Sequence, residues 1–145
     1  MTNAARLLTC IMIATYFGFF MVEAVLWTVP WVNAILLPQL NPDLRYAPHM
    51  QVEILRALFL NQGAYNLLLA VGGLLGLRLW AHGDVRAGRI LLRFIALFAI
   101  GAAITLLATT HAYLLGAVQL LVPAALLPLL RRELATSCAA GSPAE

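Results

Sequence analysis

A chain of 145 residues that is 63% apolar and 10% charged, with a mean hydropathy of +0.91, is far from the composition of a water-soluble domain. Four membrane spans of about 20 residues each would use roughly 80 residues, which excludes a second soluble domain. The net charge of +3 sets nine arginines, with no lysine, against six acidic residues, and most of the arginines flank apolar segments, so lipid headgroups and topology explain it better than nucleic acid does.

The first apolar segment runs from Ala5 to Val29. It is too long for a signal-peptide core and lacks a small-x-small cleavage site, so it reads as a transmembrane helix. The stretch from Pro30 to Met50 carries Pro30, Pro38, Pro42 and Pro48, which preclude one continuous helix. Trp31 and the run Ala34 to Leu37 place this outer loop in or on the membrane interface. Further spans are expected from Gln51 to Trp80, Ile90 to Ala108 and Ala112 to Leu130. The expectation is thus an all-α, polytopic four-helix bundle over residues 1–132, followed by a disordered cytoplasmic tail over 133–145. Cys10 and Cys138 make no metal-binding or disulfide pattern, and neither metal nor cofactor is expected.

Arginine counting sets the orientation. Arg6, then Arg78, Arg86, Arg89 and Arg93, then Arg131 and Arg132 fall on one side of a four-span chain. Both termini are therefore expected in the cytoplasm, with the proline-rich loop and the turn near His111 outside. Gly72 and Gly76 form a GxxxG pair, which serves packing within the chain or a homodimer contact.

Polar groups inside spans need a reason, since an ionisable side chain there costs a few kcal/mol on insertion scales. The first span holds Glu23, with no arginine within two turns of it. The second holds Glu53, Asn61, Gln62, Tyr65 and Asn66, and the fourth holds Gln119. At 100° per residue, Tyr16, Glu23 and Trp27 fall within about 60° of one another, and Glu53, Asn61 and Tyr65 share a sector. In depth, Glu23 lies about 9 Å below the outer end of its helix, Asn61 about 12 Å below Glu53, and Gln119 about 12 Å below His111. Three helices thus bring polar groups to the outer half of the bilayer, and one shared pocket accounts for them. The structural alternatives are a Glu53–Arg56 surface pair, amides acting as interhelical hydrogen-bond partners, and Trp27, Trp31 and Trp80 as an interfacial belt. Scattered His49, His82 and His111 make no metal site.

The segments Glu23-Ala24-Val25-Leu26-Trp27, Asn61-Gln62-Gly63-Ala64-Tyr65-Asn66 and Gln119 with Pro123-Ala124 resemble a family of short bacterial four-helix membrane proteins, a domain of unknown function. The resemblance covers Thr15 to Leu130 and implies a bacterial cytoplasmic (inner) membrane location, with no activity attached. The chain departs from the family pattern in having Tyr16 where a histidine is usual and Leu67 where a glycine follows the second asparagine.

A carboxylic acid kept from water holds its proton more readily and can act as a general acid. Such an acid can protonate an epoxide or alkene, and aromatic faces stabilise the resulting cation. The first expectation is a membrane-embedded isomerase or cyclase acting on an isoprenoid-like, lipid-soluble substrate, similar in its chemistry to membrane-bound terpene cyclases. Its catalytic residues would be Glu23 and Glu53, with Tyr16, Trp27, Asn61, Gln62, Tyr65, Asn66 and Gln119 around the substrate. A proton-coupled exporter resembling small multidrug-resistance transporters, which also carry one glutamate in the first helix, is the second. A non-catalytic membrane subunit is the third.

Overall fold

The computed structural model describes residues 1–41 and 46–139, with the backbone alone over 132–139. The described residues form α1 (Asn3–Phe20), a π-helical turn (Met21–Val25), α2 (Pro30–Leu40), α3 (Pro48–Ala81), α4 (Val85–Thr109) and α5 (Tyr113–Ala139). Four segments are long and apolar enough to cross a membrane: Asn3–Val25, Pro48–Ala81, Val85–Thr109 and Tyr113–Arg131. The protein is an all-α, polytopic membrane protein.

Local signals start the helices. The Thr2 hydroxyl accepts from the Ala5 N–H at 3.2 Å, and an Asp84 carboxylate oxygen accepts from the Ala87 N–H at 3.1 Å. Pro30 and Pro48 open α2 and α3, where a missing N–H costs nothing. The four spans then close a ring in which α3 packs against α1 and α4, and α5 packs against the same two helices. Met12 and Tyr16 of α1, Ala70 of α3, Leu92, Ile95 and Ala99 of α4, and Leu126 and Leu130 of α5 make the buried centre.

Gly76 and Gly88 set the closest approach of α3 to α4. A Cβ on Gly88 would lie 2.7 Å from the Gly76 carbonyl oxygen, and one on Gly76 would lie 2.8 Å from Leu92. Gly72 faces Ile95. The GxxxG pair is therefore taken up within the chain.

Two boundaries correct the sequence reading. The proline-rich stretch is not a loop throughout, because Pro30 to Leu40 form a helix. Pro38 removes only the hydrogen bond to Ala34 near the end of α2, and the Asn41 N–H closes the last turn on the Leu37 carbonyl at 2.9 Å. Pro42 lies outside the described residues. The last helix also continues to Ala139, past the expected end of the domain at 132, since no proline or glycine interrupts the chain between Arg131 and Ala139. Of the expected disordered tail, 140–145 lies outside the described residues.

α2 sits at the end of the bundle where α1 finishes, α3 begins and α4 turns into α5. Its C-terminus is tied to that turn by the His111 N–H, which donates to the Gln39 carbonyl at 2.7 Å.

Candidate functional site

The site starts at an irregularity. α1 does not run straight to its end: over Met21–Val25 it widens into a π turn, and the Leu26 N–H reaches back five residues to the Met21 carbonyl at 2.8 Å. Such turns insert one residue and re-aim the side chains they carry. Here they carry Glu23.

The facing helix is shaped to receive that turn. A Cβ at Gly63 would lie 2.7 Å from Ala24 Cβ and 2.9 Å from the Ala24 nitrogen, so α3 meets the π turn only because residue 63 has no side chain. One helical turn further along the same face is Asn66, 4% exposed, whose Nδ2 donates to Glu23 Oε2 at 2.6 Å. Gly63 brings the two backbones together, and Asn66 then reaches the carboxylate that the close approach delivers.

Glu23 and Asn66 line a cavity of about 310 Å³ with Gln62 of α3 and Gln119 of α5. The remaining walls are apolar: Phe19 and Val22 from the first span, Leu36 and Leu40 from α2, Leu58 and Phe59 from α3, Ala102 and Leu106 from α4, and Leu115 from α5. All five helices contribute. Among these lining residues Glu23 is the single ionisable group, and it has no cationic neighbour in the wall. The volume lies at the lower end of the range for small-molecule pockets.

Other expected site residues lie elsewhere. Glu53 is exposed and sits 4.0 Å from Arg56, the surface pair of the alternative reading. Asn61 and Tyr65 are exposed on α3 and do not line the cavity. The sector arithmetic put these three residues in one sector of α3, and in the structure all three are exposed and outside the cavity lining. Trp27 is buried behind the wall: its Nε1 donates to the Val52 carbonyl at 3.1 Å, and its ring stacks on Phe59 at 3.8 Å with 5° between the planes. It buttresses a lining residue and contacts no cavity space. Tyr16 is also buried behind the wall, its hydroxyl beside Gln119 but outside hydrogen-bonding geometry.

The sequence reading missed Phe19, Phe59 and Gly63. Phe19 precedes Glu23 by four residues, and Phe59 precedes Gln62 by three and Asn66 by seven, spacings that put each on the face of its polar neighbour. The helical periodicity was sufficient to find both.

Residues 10–130 match the family described as "Protein of unknown function (DUF1304)", and the chain belongs to that family. No curated protein and no solved structure matches the chain.

Proposed function

We propose that this member of the DUF1304 family is an acid-catalysed isomerase or cyclase of the bacterial cytoplasmic membrane, acting on an isoprenoid-like, lipid-soluble substrate. The observation that carries this reading is Glu23, the one carboxyl among the described residues of the wall of a largely apolar cavity of about 310 Å³, held at Oε2 by the Asn66 amide at 2.6 Å. The amide fixes the rotation of the carboxyl and supports the negative charge left when the proton departs.

In the isomerisation, the Glu23 O–H bond breaks as an alkene electron pair takes the proton and forms a new C–H bond. A neighbouring C–H bond of the cation then breaks, its electrons form the displaced double bond, and the Glu23 carboxylate takes that proton. With one ionisable group among the described residues of the wall, the same carboxyl serves as donor and acceptor, and the reaction consumes neither water nor protons. Ring closure follows the same balance when a second alkene attacks the cation before the proton is lost. Phe19 and Phe59 supply the aromatic rings of the wall that stabilise the cation. Gln62 and Gln119 orient a substrate oxygen, and the apolar wall, to which α2 contributes Leu36 and Leu40, keeps water away.

The test supplies isoprenoid lipids extracted from host membranes to the purified protein in deuterated buffer. Wild type is expected to return isomers carrying one deuterium, and Glu23→Gln to return none while staying folded. Equal labelling by the variant removes Glu23 from the mechanism, and no labelling by either protein overturns the reading.

The absence of a cation among the described residues of the cavity wall also fits a second reading, proton-coupled export of a lipophilic cation. That reading requires tetraphenylphosphonium to leave vesicles containing the protein when a pH gradient is imposed, and Glu23→Gln to abolish the flux.

A further inference from the structure

α3 turns a second set of polar groups away from the cavity. Arg56 and Arg78 are separated by 22 residues, about 33 Å of helix, close to the roughly 30 Å thickness of a bilayer's hydrocarbon core. Asn61 lies about 7.5 Å inside that interval and Tyr65 about 6 Å deeper. Both are exposed on the bundle surface, and Asn61 has no hydrogen-bond partner among the described residues. The asparagine side chain is too short to reach the headgroups from that depth, and acyl chains offer its amide nothing to bond.

The residues around Asn61 follow a regular order. Ile54, Asn61, Leu68 and Leu75 recur every seven residues, all exposed, and Tyr65 follows Asn61 by four. This is the seven-residue repeat of a helix–helix seam, with one asparagine at a seam position. None of these five residues lines the Glu23 cavity. Tyr65 and Leu68 border an apolar groove of about 430 Å³ between α3 and α4, roomy enough for side chains of an apposed helix.

We propose that this face of α3 joins two copies of the chain about a two-fold axis along the membrane normal, with each Asn61 amide bonded to the other. A second copy is the occupant that the chemistry selects. A carboxamide carries both donor and acceptor, so identical residues satisfy each other, and a two-fold axis brings the same position of each chain together. A single asparagine in such a seam specifies register and a two-stranded state.

The test uses full-length protein in membranes, with Cys10→Ser and Cys138→Ser as background. Mild oxidation of Asn61→Cys is expected to give a disulfide-linked pair of chains, while Ile104→Cys, exposed on α4, stays single. Absence of the pair, equal linkage at both positions, or linkage of Asn61→Cys to a protein of another mass overturns the proposal. As a second readout, Asn61→Leu is expected to keep its helicity and to raise the dimer dissociation constant in vesicles at least tenfold, measured by energy transfer between labelled chains. An unchanged constant overturns the proposal as well.

Discussion

Asn66 and Glu23 form a pair whose two members can be separated by substitution. The Asn66 amide donates to the carboxylate at 2.6 Å, and a hydrogen bond to a charged group is worth about 1.5–3 kcal/mol. If the bond strengthens as Glu23 gives up its proton, Asn66→Leu lowers the rate of turnover about 10- to 100-fold, at 1.4 kcal/mol per factor of ten. The effect belongs in kcat more than in KM, because the amide spends its hydrogen bond on the acid. Glu53→Gln is the matched control. Glu53 is exposed beside Arg56, and its replacement is expected to leave both constants within twofold of wild type. Kinetics of the two variants, read side by side on one substrate, check the assignment of a single acid. The contrast also shows why the facing of Glu53 was not legible in the sequence. Helical angles tell which residues share a face, but in a membrane both the inward and the outward face are apolar. The hydropathy contrast that separates inside from outside in a soluble helix is missing. Glu23 and Gln119 line one cavity, and their depth, unlike their facing, follows directly from residue counts.

At the scale of the element, the site depends on two backbones in contact. The π turn at Met21–Val25 presents Glu23, and α3 admits the turn at Gly63. Gly63→Ala places a methyl group 2.7 Å from Ala24 Cβ and 2.9 Å from the Ala24 nitrogen, a backbone atom that cannot rotate away. Overpacking of this kind costs about 1–3 kcal/mol, more than the 0.5–1 kcal/mol an alanine gains over glycine in a helix. The variant is therefore expected to be less stable by about 1–2 kcal/mol and to lose turnover as Glu23 is pushed off Asn66. Gly101→Ala, where a Cβ meets nothing within 4 Å, is expected to be as stable as wild type or slightly more so. Denaturant titration of both proteins in detergent checks the pair. Opposite signs support a close contact at 63, whereas equal stability of the two variants argues that the π turn does not rest on α3. The four spans themselves were legible from apolar run length alone. The π turn was not, since nothing in Met21-Val22-Glu23-Ala24-Val25 distinguishes it from a regular helix until α3 is in place. α2 was hidden by its prolines, which mark its start and weaken its last turns without preventing it.

For the molecule as a whole, four spans put the start of α1 and the end of α5 on one side of the membrane, and the arginines decide which side. Arg6, Arg78, Arg86, Arg89, Arg93 and Arg131 cluster at one end of the ring. α2 and the turn at His111, tied together through the Gln39 carbonyl, close the other. Basic residues next to spans are retained in the cytoplasm, so the α2 end is expected to face out. That orientation would open the Glu23 cavity, which α2 lines through Leu36 and Leu40, toward the outer leaflet. Single cysteines report it directly. In a background lacking Cys10 and Cys138, His111→Cys, exposed at the α4–α5 turn, is expected to react with a membrane-impermeant maleimide added to intact cells. His82→Cys, exposed at the α3–α4 turn, is expected to react only after permeabilisation. The reverse pattern would place those six of the nine arginines outside and the cavity toward the cytoplasm. A substrate supplied from the inner leaflet would then be required. Reaction at both positions in intact cells would mean mixed insertion, which a two-fold dimer about the membrane normal cannot accommodate within one pair. The same labelling thus bears on the orientation of the site and on the symmetry through which two copies can meet.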